Sequence, residues 1–481
     1  MHIIHISAEC YPVAKVGGLG DVVGALPKYL KEIGVETWVI IPKYEVPWIK
    51  EHAFETVFES DAYLGEHPFH FKIKRETENS LGFPFYVAEI PGRFDRAGVY
   101  IDPDSGYPYW DEFERNMTFQ IAAVEWIQSM SQKPDIVHCH DHQAGLIPFM
   151  MTRCPAYHNL NEIPTVFTIH NGQYQGSYDF GYARLLPSFN WNDYGLLDWD
   201  GRLNCLAAGI KTCWKLTTVS ESYMDELRYN SNGLELLIAN EVLKSTGILN
   251  GIDVDVWNTA TDPLIHFNFD VKNVEEGKEK NKKELCKYFD LDPKLPTYSF
   301  IGRLVREKGA DLLPDLISYF LRANHEANFI VLGTGDQDLH DRLLHMKNHH
   351  TGYFDTSIEY NEKLAHQIYA GTDFLLMPSR VEPCGLNQMY AMRYGSIPIV
   401  RGTGGLKDTV KDLQEKGGYG IRFNEFNLLE AMDALHRSYR LYCDKPEKFK
   451  GIRKKIMQLD FSWNRSANQY KKLYKSINST N

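Results

Sequence analysis

The stretch PSRVEPCGLNQMYAMRYGSIPIVRGTGGLKDTV, from Pro378 to Val410, runs from a glycine turn through a helical pattern into a buried strand. An acidic residue, Glu382, precedes the turn glycine Gly385, and the apolar run Ile397–Val400 is typical of a strand in a parallel sheet. A second glycine-rich turn follows this strand. A carboxylate beside free backbone N–H groups at a helix start can hold sugar hydroxyls and phosphate oxygens. The stretch therefore predicts a parallel α/β fold that binds a sugar nucleotide.

The same alternation of short apolar runs and helical patterns continues along the chain of 481 residues. It is typical of doubly wound α/β domains, and the length exceeds what one hydrophobic core serves. The charged segment 268–287, expected to be a connector or a surface helix, separates two series of strands. We therefore predict two domains with a cleft between them, and ligands bound outside the carboxyl ends of the strands. The predicted strands are Ile3–Ser7, Thr37–Ile41, Phe85–Ile90, Ile136–His138, Thr165–Ile169 and Thr217–Val219, then Tyr298–Ile301, Phe329–Leu332, Phe374–Met377 and Ile397–Val400; predicted helices include Leu19–Glu32 and Met117–Met130.

Composition excludes several classes of protein. The net charge of −11 argues against a general nucleic-acid or anionic-membrane binder. No window reaches the roughly 18 apolar residues of a membrane span. The N-terminal apolar run is too short for a secretory signal. The eight cysteines include no C-x-x-C pair, which indicates reduced, packed thiols. We therefore expect a cytoplasmic protein with no nucleic-acid or membrane partner.

The first functional motif, Lys15 to Asp21, follows the first strand and opens a helix. Gly17 and Gly18 permit close approach of the backbone to a ligand, and Lys15 adds a positive charge. The alternative is the dinucleotide-binding turn of dehydrogenases, which requires an acidic residue at the end of the second strand. Here that strand ends in Lys43. The motif is therefore interpreted as a phosphate or sugar contact, with a purely structural turn as the remaining alternative.

A second cationic motif, residues 303–309, follows the first strand of the second series. Arg303 offers a bidentate guanidinium and Lys308 a point charge, and both suit a diphosphate. Fixed positive charge can stabilise a departing nucleoside diphosphate without a metal ion, and no aspartate-rich motif stands near a predicted strand end. We predict that Arg303 and Lys308 contact phosphate, whereas Arg306 and Glu307 are solvated charges.

Histidines cluster after two strands of the first series. His138, His140 and His142 alternate after one strand, and His170 follows the next. Three histidines at alternate positions allow a zinc site, but His142 already belongs to a loop and no fourth ligand is evident. Hydrogen bonding to sugar hydroxyls is the favoured interpretation, with His138 assigned to the core. The predicted sugar-contacting residues are His140, Asp141, His170 and Asn171.

Together these motifs resemble those of the bacterial glycogen synthase and plant starch synthase family, over nearly the whole chain. The family patterns K-T-G-G-L, T-[IV]-H-N-x-x-[YF]-Q-G, T-T-V-S, N-G-I-D-x-x-x-W-N, R-L-x-x-x-K-G, E-P-C-G-L-x-Q, T-G-G-L-x-D-T-V and D-F-S-W occur in this order. They stand at Lys15–Leu19, Thr168–Gly176, Thr217–Ser220, Asn250–Asn258, Arg303–Gly309, Glu382–Gln388, Thr403–Val410 and Asp460–Trp463. So many ordered matches make a chance resemblance implausible.

The resemblance implies the GT-B fold of glycosyltransferase family 5, with two Rossmann-like doubly wound domains and a cleft between them. Residues 1–245 would form the acceptor-side domain, completed by a C-terminal helix at 460–481 that crosses back onto it. Residues 246–459 would form the domain that binds the nucleotide sugar. No cofactor and no metal ion is implied.

The implied activity is transfer of glucose from ADP-glucose to the 4-hydroxyl at the non-reducing end of an α-1,4-glucan such as glycogen, with retention of configuration. By analogy, Arg303 and Lys308 neutralise the leaving ADP, and Glu382 holds glucose hydroxyls. Positioning and leaving-group stabilisation, not a covalent nucleophile, would carry the reaction. The implied catalytic residues are Arg303, Lys308, Glu382, His170 and Asp141. The implied substrate-binding residues are Lys15, Gly17, Gly18, Asp21, His140, Asn171, Gly385, Leu386, Thr403, Gly404 and Gly405.

Two positions depart from the family pattern. The second histidine of H-D-W-H is Gln143, which cannot take a proton near neutral pH, and the threonine of K-T-G-G-L is Val16. A weakened glucan-binding or regulatory relative is therefore one alternative. A UDP-glucose-dependent synthase is another, because no local pattern separates the two donors. The aromatic and acidic segment Tyr100–Trp110 suits either an acceptor sugar or a loop that joins two elements. The sequence does not indicate the oligomeric state.

Overall fold

The computed structural model describes residues 1–323 and 326–478, and the chain forms two compact units. Unit 1 comprises Met1–Asn250 and the segment that begins at Trp463, and unit 2 comprises Gly251–Ser462. The boundaries predicted from the sequence, after residues 245 and 459, lie a few residues before these. Residues 479–481 of the predicted C-terminal helix lie outside the described residues.

Unit 1 is built on a nine-stranded sheet with the order β12-β11-β7-β6-β1-β2-β5-β4-β3, beside a small sheet with the order β8-β10-β9. Its strands are β1 (His2–Ile6), β2 (Glu36–Pro42), β3 (Phe54–Leu64), β4 (His67–Glu76), β5 (Phe85–Glu89), β6 (Ile136–His140), β7 (Thr165–Ile169), β8 (Ser177–Asp179), β9 (Asp198–Trp199), β10 (Arg202–Asn204), β11 (Lys215–Thr218) and β12 (Ser245–Gly247). Its helices before the crossover are α1 (Gly18–Glu32), α2 (Pro47–Glu51), α3 (Glu112–Ser129), α4 (Ile147–Arg153), α5 (Cys205–Thr212), α6 (Glu221–Leu227) and α7 (Glu235–Asn240). Strands from β12 to β5 pair in parallel, and β3 and β4 add an antiparallel hairpin at one edge.

Unit 2 contains an all-parallel six-stranded sheet with the order β15-β14-β13-β16-β17-β18. Its strands are β13 (Thr297–Ile301), β14 (Asn328–Leu332), β15 (Phe354–Ser357), β16 (Phe374–Met377), β17 (Ile397–Arg401) and β18 (Ile421–Phe423). Its helices are α8 (Val274–Tyr288), α9 (Leu313–Arg322), α10 (Gln337–His349), α11 (Glu362–Gly371), α12 (Asn387–Arg393), α13 (Gly404–Thr409), α14 (Leu428–Asp444) and α15 (Pro446–Ile456). The central strands are buried on both faces, which explains their continuous apolar runs.

The last helix, α16 (Trp463–Asn478), returns to unit 1 and packs against α1. Trp463, Tyr470 and Tyr474 are buried there against Val22 and Leu26 of α1. Because α16 fills one side of the sheet of unit 1, the hydrophobic core of that unit is assembled from both ends of the chain.

All ten predicted strands are present, with ends that differ by at most two residues. The β3–β4 hairpin was not predicted, because most of its side chains are partly or fully exposed and form no apolar run. The segment predicted as a connector or a surface helix contains α8, in which Lys278 and Lys282 are buried. Among the residues that the structure describes, none of the helices combines the length and the apolar character needed to cross a lipid bilayer.

Candidate active site

In each unit the candidate residues lie where the order of the strands reverses. In unit 1, β1 lies between β2 and β6, and in unit 2, β13 lies between β14 and β16. The chain turns to opposite faces of the sheet at such a point, which leaves a crevice outside the carboxyl ends of the strands. Each unit thus has its own group of candidate residues.

The glycine loop of unit 1 is organised by an acidic residue that was not predicted as a site residue. Glu9, in the segment that follows β1, is buried and accepts hydrogen bonds from the backbone N–H groups of Val16 (2.6 Å) and Gly17 (3.0 Å). Its other oxygen accepts a hydrogen bond from the hydroxyl of Tyr100 at 2.7 Å. The Gly17 N–H group therefore already has an internal carboxylate as its partner, and the predicted contact of Gly17 with a phosphate or sugar stays a prediction.

Space beside the loop distinguishes its glycines from those that the fold requires. A Cβ atom built on Gly17 or Gly18 would meet no heavy atom within 4 Å, whereas one on Gly24 would lie 2.3 Å from the carbonyl oxygen of Tyr11. Neither Gly17 nor Gly18 has a positive φ. Close packing therefore accounts for Gly24, whereas neither packing nor backbone conformation explains Gly17 and Gly18, as expected where a ligand approaches the backbone.

The charged residues of this loop pair with each other. The Nζ atom of Lys15 lies 2.7 Å from Oδ1 of Asp21, and both side chains are partly exposed. The structure thus brings together Lys15 and Asp21, two of the residues that the resemblance implied as substrate-binding. A partly exposed ion pair contributes little to stability, so stability alone does not account for this pair.

A chain of three histidines connects the core of unit 1 to the end of β7. Nδ1 of His5 lies 2.9 Å from Nε2 of His140, and Nδ1 of His140 lies 2.9 Å from Nε2 of His170. His5 and His140 are fully buried. This corrects the prediction that His140 contacts sugar, because both of its ring nitrogens have histidine partners. His170, at the end of this chain, retains a ring nitrogen with no hydrogen bond within the described residues.

His138 stacks on His140 in the same strand but belongs to a different set of hydrogen bonds. Its Nδ1 lies 2.8 Å from the hydroxyl of Tyr474, and its Nε2 lies 2.6 Å from the hydroxyl of Thr168. Nitrogen atoms of His5, His138 and His140 lie within 4.8 Å of one another, a spacing compatible with a metal site. However, hydrogen bonds occupy both nitrogens of His138 and of His140, and His138 is a core residue as predicted.

Asp141 follows β6 in a strained conformation, with φ 56° and ψ −176°. This region is populated almost exclusively by glycine, and such strain is concentrated at functional sites. The carboxylate of Asp141 accepts the backbone N–H of His170 at 2.7 Å and also that of Asn171. Burial, with a smaller contribution from Glu9, raises the pKa of Asp141 to about 7. Asp141 therefore fixes the backbone that carries His170 and Asn171, two of the residues predicted to contact sugar.

One of the two positions where the sequence departs from the family pattern is also buried, whereas the other, Val16, is exposed. Gln143 is buried, and its Oε1 atom has no hydrogen-bond partner within the described residues. The neighbouring His142 is held by a hydrogen bond from Nδ1 to the carbonyl oxygen of Tyr174 at 3.1 Å, and burial lowers its pKa to about 4. His142 is therefore neutral at physiological pH and already oriented by the backbone.

In unit 2 the structure joins Lys308 and Glu382, two predicted catalytic residues that are far apart in sequence. Nζ of Lys308 lies 2.7 Å from Oε1 of Glu382, and the hydroxyl of Ser379 donates to Oε2 at 2.9 Å. Glu382 is 6% exposed. Arg303 lies on the same strand-end loop, with a half-exposed guanidinium 3.5 Å from Glu307. A buried carboxylate with one cation fixed on it, and a second cation on the loop that carries the first, can bind a ligand with both hydroxyl and phosphate groups.

The two glycine turns of unit 2 differ in what they offer a ligand. The N–H groups of Gly385 and Leu386 make no hydrogen bond within the described residues. The N–H group of Gly405 is shared between the carbonyl oxygens of Glu382 (3.1 Å) and Pro383 (3.2 Å). Gly405, which the resemblance implied as a substrate-binding residue, therefore has internal partners for its N–H group.

Close packing explains the second turn. A Cβ atom on Gly404 would lie 2.2 Å from the carbonyl oxygen of Glu382, and one on Gly405 would lie 2.1 Å from that of Cys384. Thr403 precedes them as the residue before α13. The turn Thr403–Gly405 therefore supports the backbone that carries Glu382.

Two supporting residues of unit 2 were not predicted. The buried amide of Gln388 donates to the carbonyl oxygens of Cys384 (3.1 Å) and Gly385 (2.8 Å) and to the hydroxyl of Thr409 (2.9 Å). Tyr390 stacks on Trp257 with ring centroids 3.7 Å apart, so it serves packing. The signal for Gln388 was its place in the Glu382–Gln388 motif, where the sequence alone assigned it no partner.

The segment Tyr100–Trp110 divides into anchored and free aromatic rings. Tyr100 binds Glu9, and Tyr109 packs beneath the guanidinium of Arg115 at 4.2 Å. Tyr107 and Trp110 are 74% and 84% exposed. Two rings therefore hold the segment in place, while the other two remain available to a sugar.

Comparisons with known proteins cover the whole chain. Residues 2–240 match the family model of the starch synthase catalytic domain, and residues 281–447 match that of glycosyl transferases group 1. The glycogen synthase of Flavobacterium johnsoniae is 46% identical over 478 residues, which cover 99% of each chain. The glycogen synthase of Exiguobacterium sibiricum is 38% identical, again with 99% of each chain covered.

Solved structures agree with these relatives. The catalytic domain of starch synthase IV from Arabidopsis thaliana, solved with ADP and acarbose, superposes with a TM-score of 0.87 at 33% identity, covering 99% of each chain. Sucrose-phosphate synthase from Thermosynechococcus elongatus has a TM-score of 0.60 at 15% identity and shows likeness of fold alone. The predicted GT-B class, with two Rossmann-like units, is thereby confirmed.

Proposed function

The chain belongs to the glycogen synthase and starch synthase family of glycosyltransferases, and we propose that it transfers glucose from ADP-glucose to the non-reducing end of an α-1,4-glucan with retention of configuration. The observation that carries the proposal is the Lys308–Glu382 pair at the strand reversal of unit 2. The ADP in the structure of the starch synthase IV relative supports a nucleoside diphosphate as the leaving group.

The pair of Lys308 and Glu382 suits the binding of a nucleoside diphosphate sugar, and it does not suit a covalent mechanism in which Glu382 is the nucleophile. Both oxygens of Glu382 already accept hydrogen bonds, from Lys308 and Ser379, and each keeps a lone pair for a sugar hydroxyl. A carboxylate held in this way is a poor nucleophile. Lys308 uses one of its three N–H donors on Glu382 and keeps the others for a phosphate oxygen, with Arg303 as the second cation.

In this proposal the bond between the anomeric carbon and the diphosphate breaks as positive charge on unit 2 stabilises the departing ADP. The acceptor 4-oxygen forms its new bond on the face that the diphosphate leaves, and its proton passes to a diphosphate oxygen. Unit 2 supplies leaving-group stabilisation. Unit 1 supplies the glycine loop, with Lys15 for the donor and His170 for the glucose. Asn171 adds a polar contact.

The test is transfer of label from ADP-[14C]glucose to glycogen by the purified protein, with UDP-[14C]glucose in a parallel assay. We expect faster transfer from ADP-glucose, and label that β-amylase releases as maltose, because this enzyme removes α-1,4-linked units from non-reducing ends. Preference for UDP-glucose would contradict the proposed donor. Binding of glycogen without transfer from either donor would contradict the proposed activity and favour the weakened relative suggested by Gln143.

A further inference from the structure

The three-histidine chain of unit 1 is not explained by substrate contact, since His5 and His140 are completely buried. It runs from β1 through β6 to the residue after β7, and both of its links measure 2.9 Å. Its outer end is His170, for which the proposed function requires contact with glucose. The chain therefore links the interior of the sheet to a single ring at the site.

The number of protons on the three histidine rings allows only two arrangements of their tautomers. Burial lowers the pKa of His5 and of His170 to about 3, and that of His140 well below its usual value, so all three rings are neutral at pH 7. A neutral imidazole carries one N–H, and each link needs one donor and one acceptor. Both links must therefore point the same way: either every ring is protonated on Nδ1, or every ring is protonated on Nε2.

The inner end of the chain distinguishes these states. Nε2 of His5 is buried and has no hydrogen-bond partner among the described residues. If the rings are protonated on Nε2, this atom is a buried N–H donor without an acceptor, which folded proteins rarely contain. If they are protonated on Nδ1, it is an unprotonated nitrogen, and His5 donates to His140, which donates to His170. In this Nδ1-protonated state, the ring nitrogen of His170 that takes no part in the link, Nδ1, carries a proton.

We propose that His5 and His140 are positioning residues that hold the His170 ring in the Nδ1–H tautomer, so that it presents a hydrogen-bond donor to a sugar oxygen. The inference rests on the proposed function for the identity of the ligand. The tautomer itself can be measured without substrate. His5 acts only through His140 and His170, so its removal leaves the ring of His170 free to change tautomer and orientation.

The protein contains a residue, His138, that serves as a matched control for His5. His138 is as buried as His5, stacks on His140, contacts the His5 ring in a tilted arrangement, and lies in the same sheet. Its nitrogens bind Tyr474 and Thr168 and make no link to His170. Comparing His5→Leu with His138→Leu therefore separates loss of the chain from loss of any buried histidine. His5→Asn is the rescue variant, because its amide N–H can replace Nδ1–H as the donor to His140.

The first measurement is the 15N spectrum of the intact protein labelled with 15N-histidine, in which protonated and unprotonated ring nitrogens have distinct shifts. We expect Nδ1 of His170 to be protonated, with the signal assigned by its loss in His170→Ala. Protonation on Nε2 would overturn the proposal, whatever the activity. Because this experiment needs no substrate and no variant of His5, it remains decisive if His5→Leu fails to fold or if the proposed activity is wrong.

The second measurement is kcat and KM for transfer from ADP-glucose, with thermal stability measured for each variant. Loss of a group that orients a site residue costs about 10–100-fold by comparison with outer partners of metal ligands, and we expect a decrease in kcat of that size for His5→Leu. His5→Asn should recover most of it. In the background His170→Ala, the change His5→Leu should have no further effect. Equal losses in His5→Leu and His138→Leu, or additive effects in the double variant, would overturn the proposal.

Discussion

Gly18 provides a direct test of whether the loop of unit 1 meets a ligand. A Cβ atom at this position would have no heavy atom within 4 Å. Gly18 is the first residue of α1, and its φ is not positive. Gly18→Ala should therefore leave the folded state undisturbed. Alanine is favoured over glycine in a helix by about 0.5–1 kcal/mol, so we expect an unchanged or slightly raised thermal midpoint.

The activity of Gly18→Ala, in contrast to its stability, should decrease. If a phosphate or sugar group lies against the Gly18 backbone, the added methyl group enters the space of the ligand. We expect kcat/KM for ADP-glucose to decrease at least about tenfold, which corresponds to about 1.4 kcal/mol of lost transition-state stabilisation. The assay is the initial rate of label transfer to glycogen, combined with thermal unfolding followed by circular dichroism.

Gly24→Ala is the matched control in the same helix. Its Cβ would lie 2.3 Å from the carbonyl oxygen of Tyr11, so we expect destabilisation of about 1–3 kcal/mol, as for other overpacked sites. The two variants thus separate ligand contact from packing. Wild-type kcat/KM in Gly18→Ala would refute the assignment of the loop to the donor. A large loss of stability in that variant would refute the claim that the space beside it is free.

Three further changes test other parts of the site. Lys308→Met should lower kcat about 10²–10³-fold, as does loss of one oxyanion donor, whereas the exposed neighbour Arg306 should tolerate the same substitution; equal rates in both variants would contradict the assigned role. The raised pKa of Asp141, about 7, means that the folded protein loses stability as pH rises from about 4 to 7. Asp141→Asn should therefore gain stability relative to the wild type across that window, by about 1–2 kcal/mol for this partly exposed carboxyl, in denaturant titrations at pH 4.5 and 8. Gly405→Ala should lower the thermal midpoint, because its Cβ would lie 2.1 Å from the carbonyl oxygen of Cys384; a wild-type midpoint would contradict that packing.

The strands of both units could be predicted because each is a continuous apolar run, which a strand buried on both faces requires. The β3–β4 hairpin lies at the sheet edge with most of its side chains in solvent, so it left no such signal. Helix α8 was wrongly expected to lie at the surface because it is rich in lysine. The buried Nζ atom of Lys282 lies 2.6 Å from a carboxylate oxygen of Asp373, and Nζ of Lys278 donates to the hydroxyl of Ser396. Sequence gives the charge of a residue without giving its partner.

The candidate site was predictable in its parts for the same reason. Motifs that follow the strands of a parallel sheet must lie at the carboxyl edge of that sheet. The positions of Arg303 and Glu382 in unit 2, and of His170 in unit 1, therefore follow from the sequence alone. Glu9 was missed, although it stands between the first strand and the glycine loop, because an isolated acidic residue gives no pattern. Its role depends on the loop folding back over it.

The order of apolar runs and glycine turns along this chain was sufficient to determine two doubly wound units and the strand ends that carry the chemistry. Local periodicity encodes these features directly. Only the tertiary structure decided which groups satisfy one another. Lys308 and Glu382 are 74 residues apart in sequence, and His5 and His140 are 135 residues apart. Such pairings arise when strands distant in the chain become neighbours in a sheet, and the geometry of that sheet, not the composition of any segment, selects the partner.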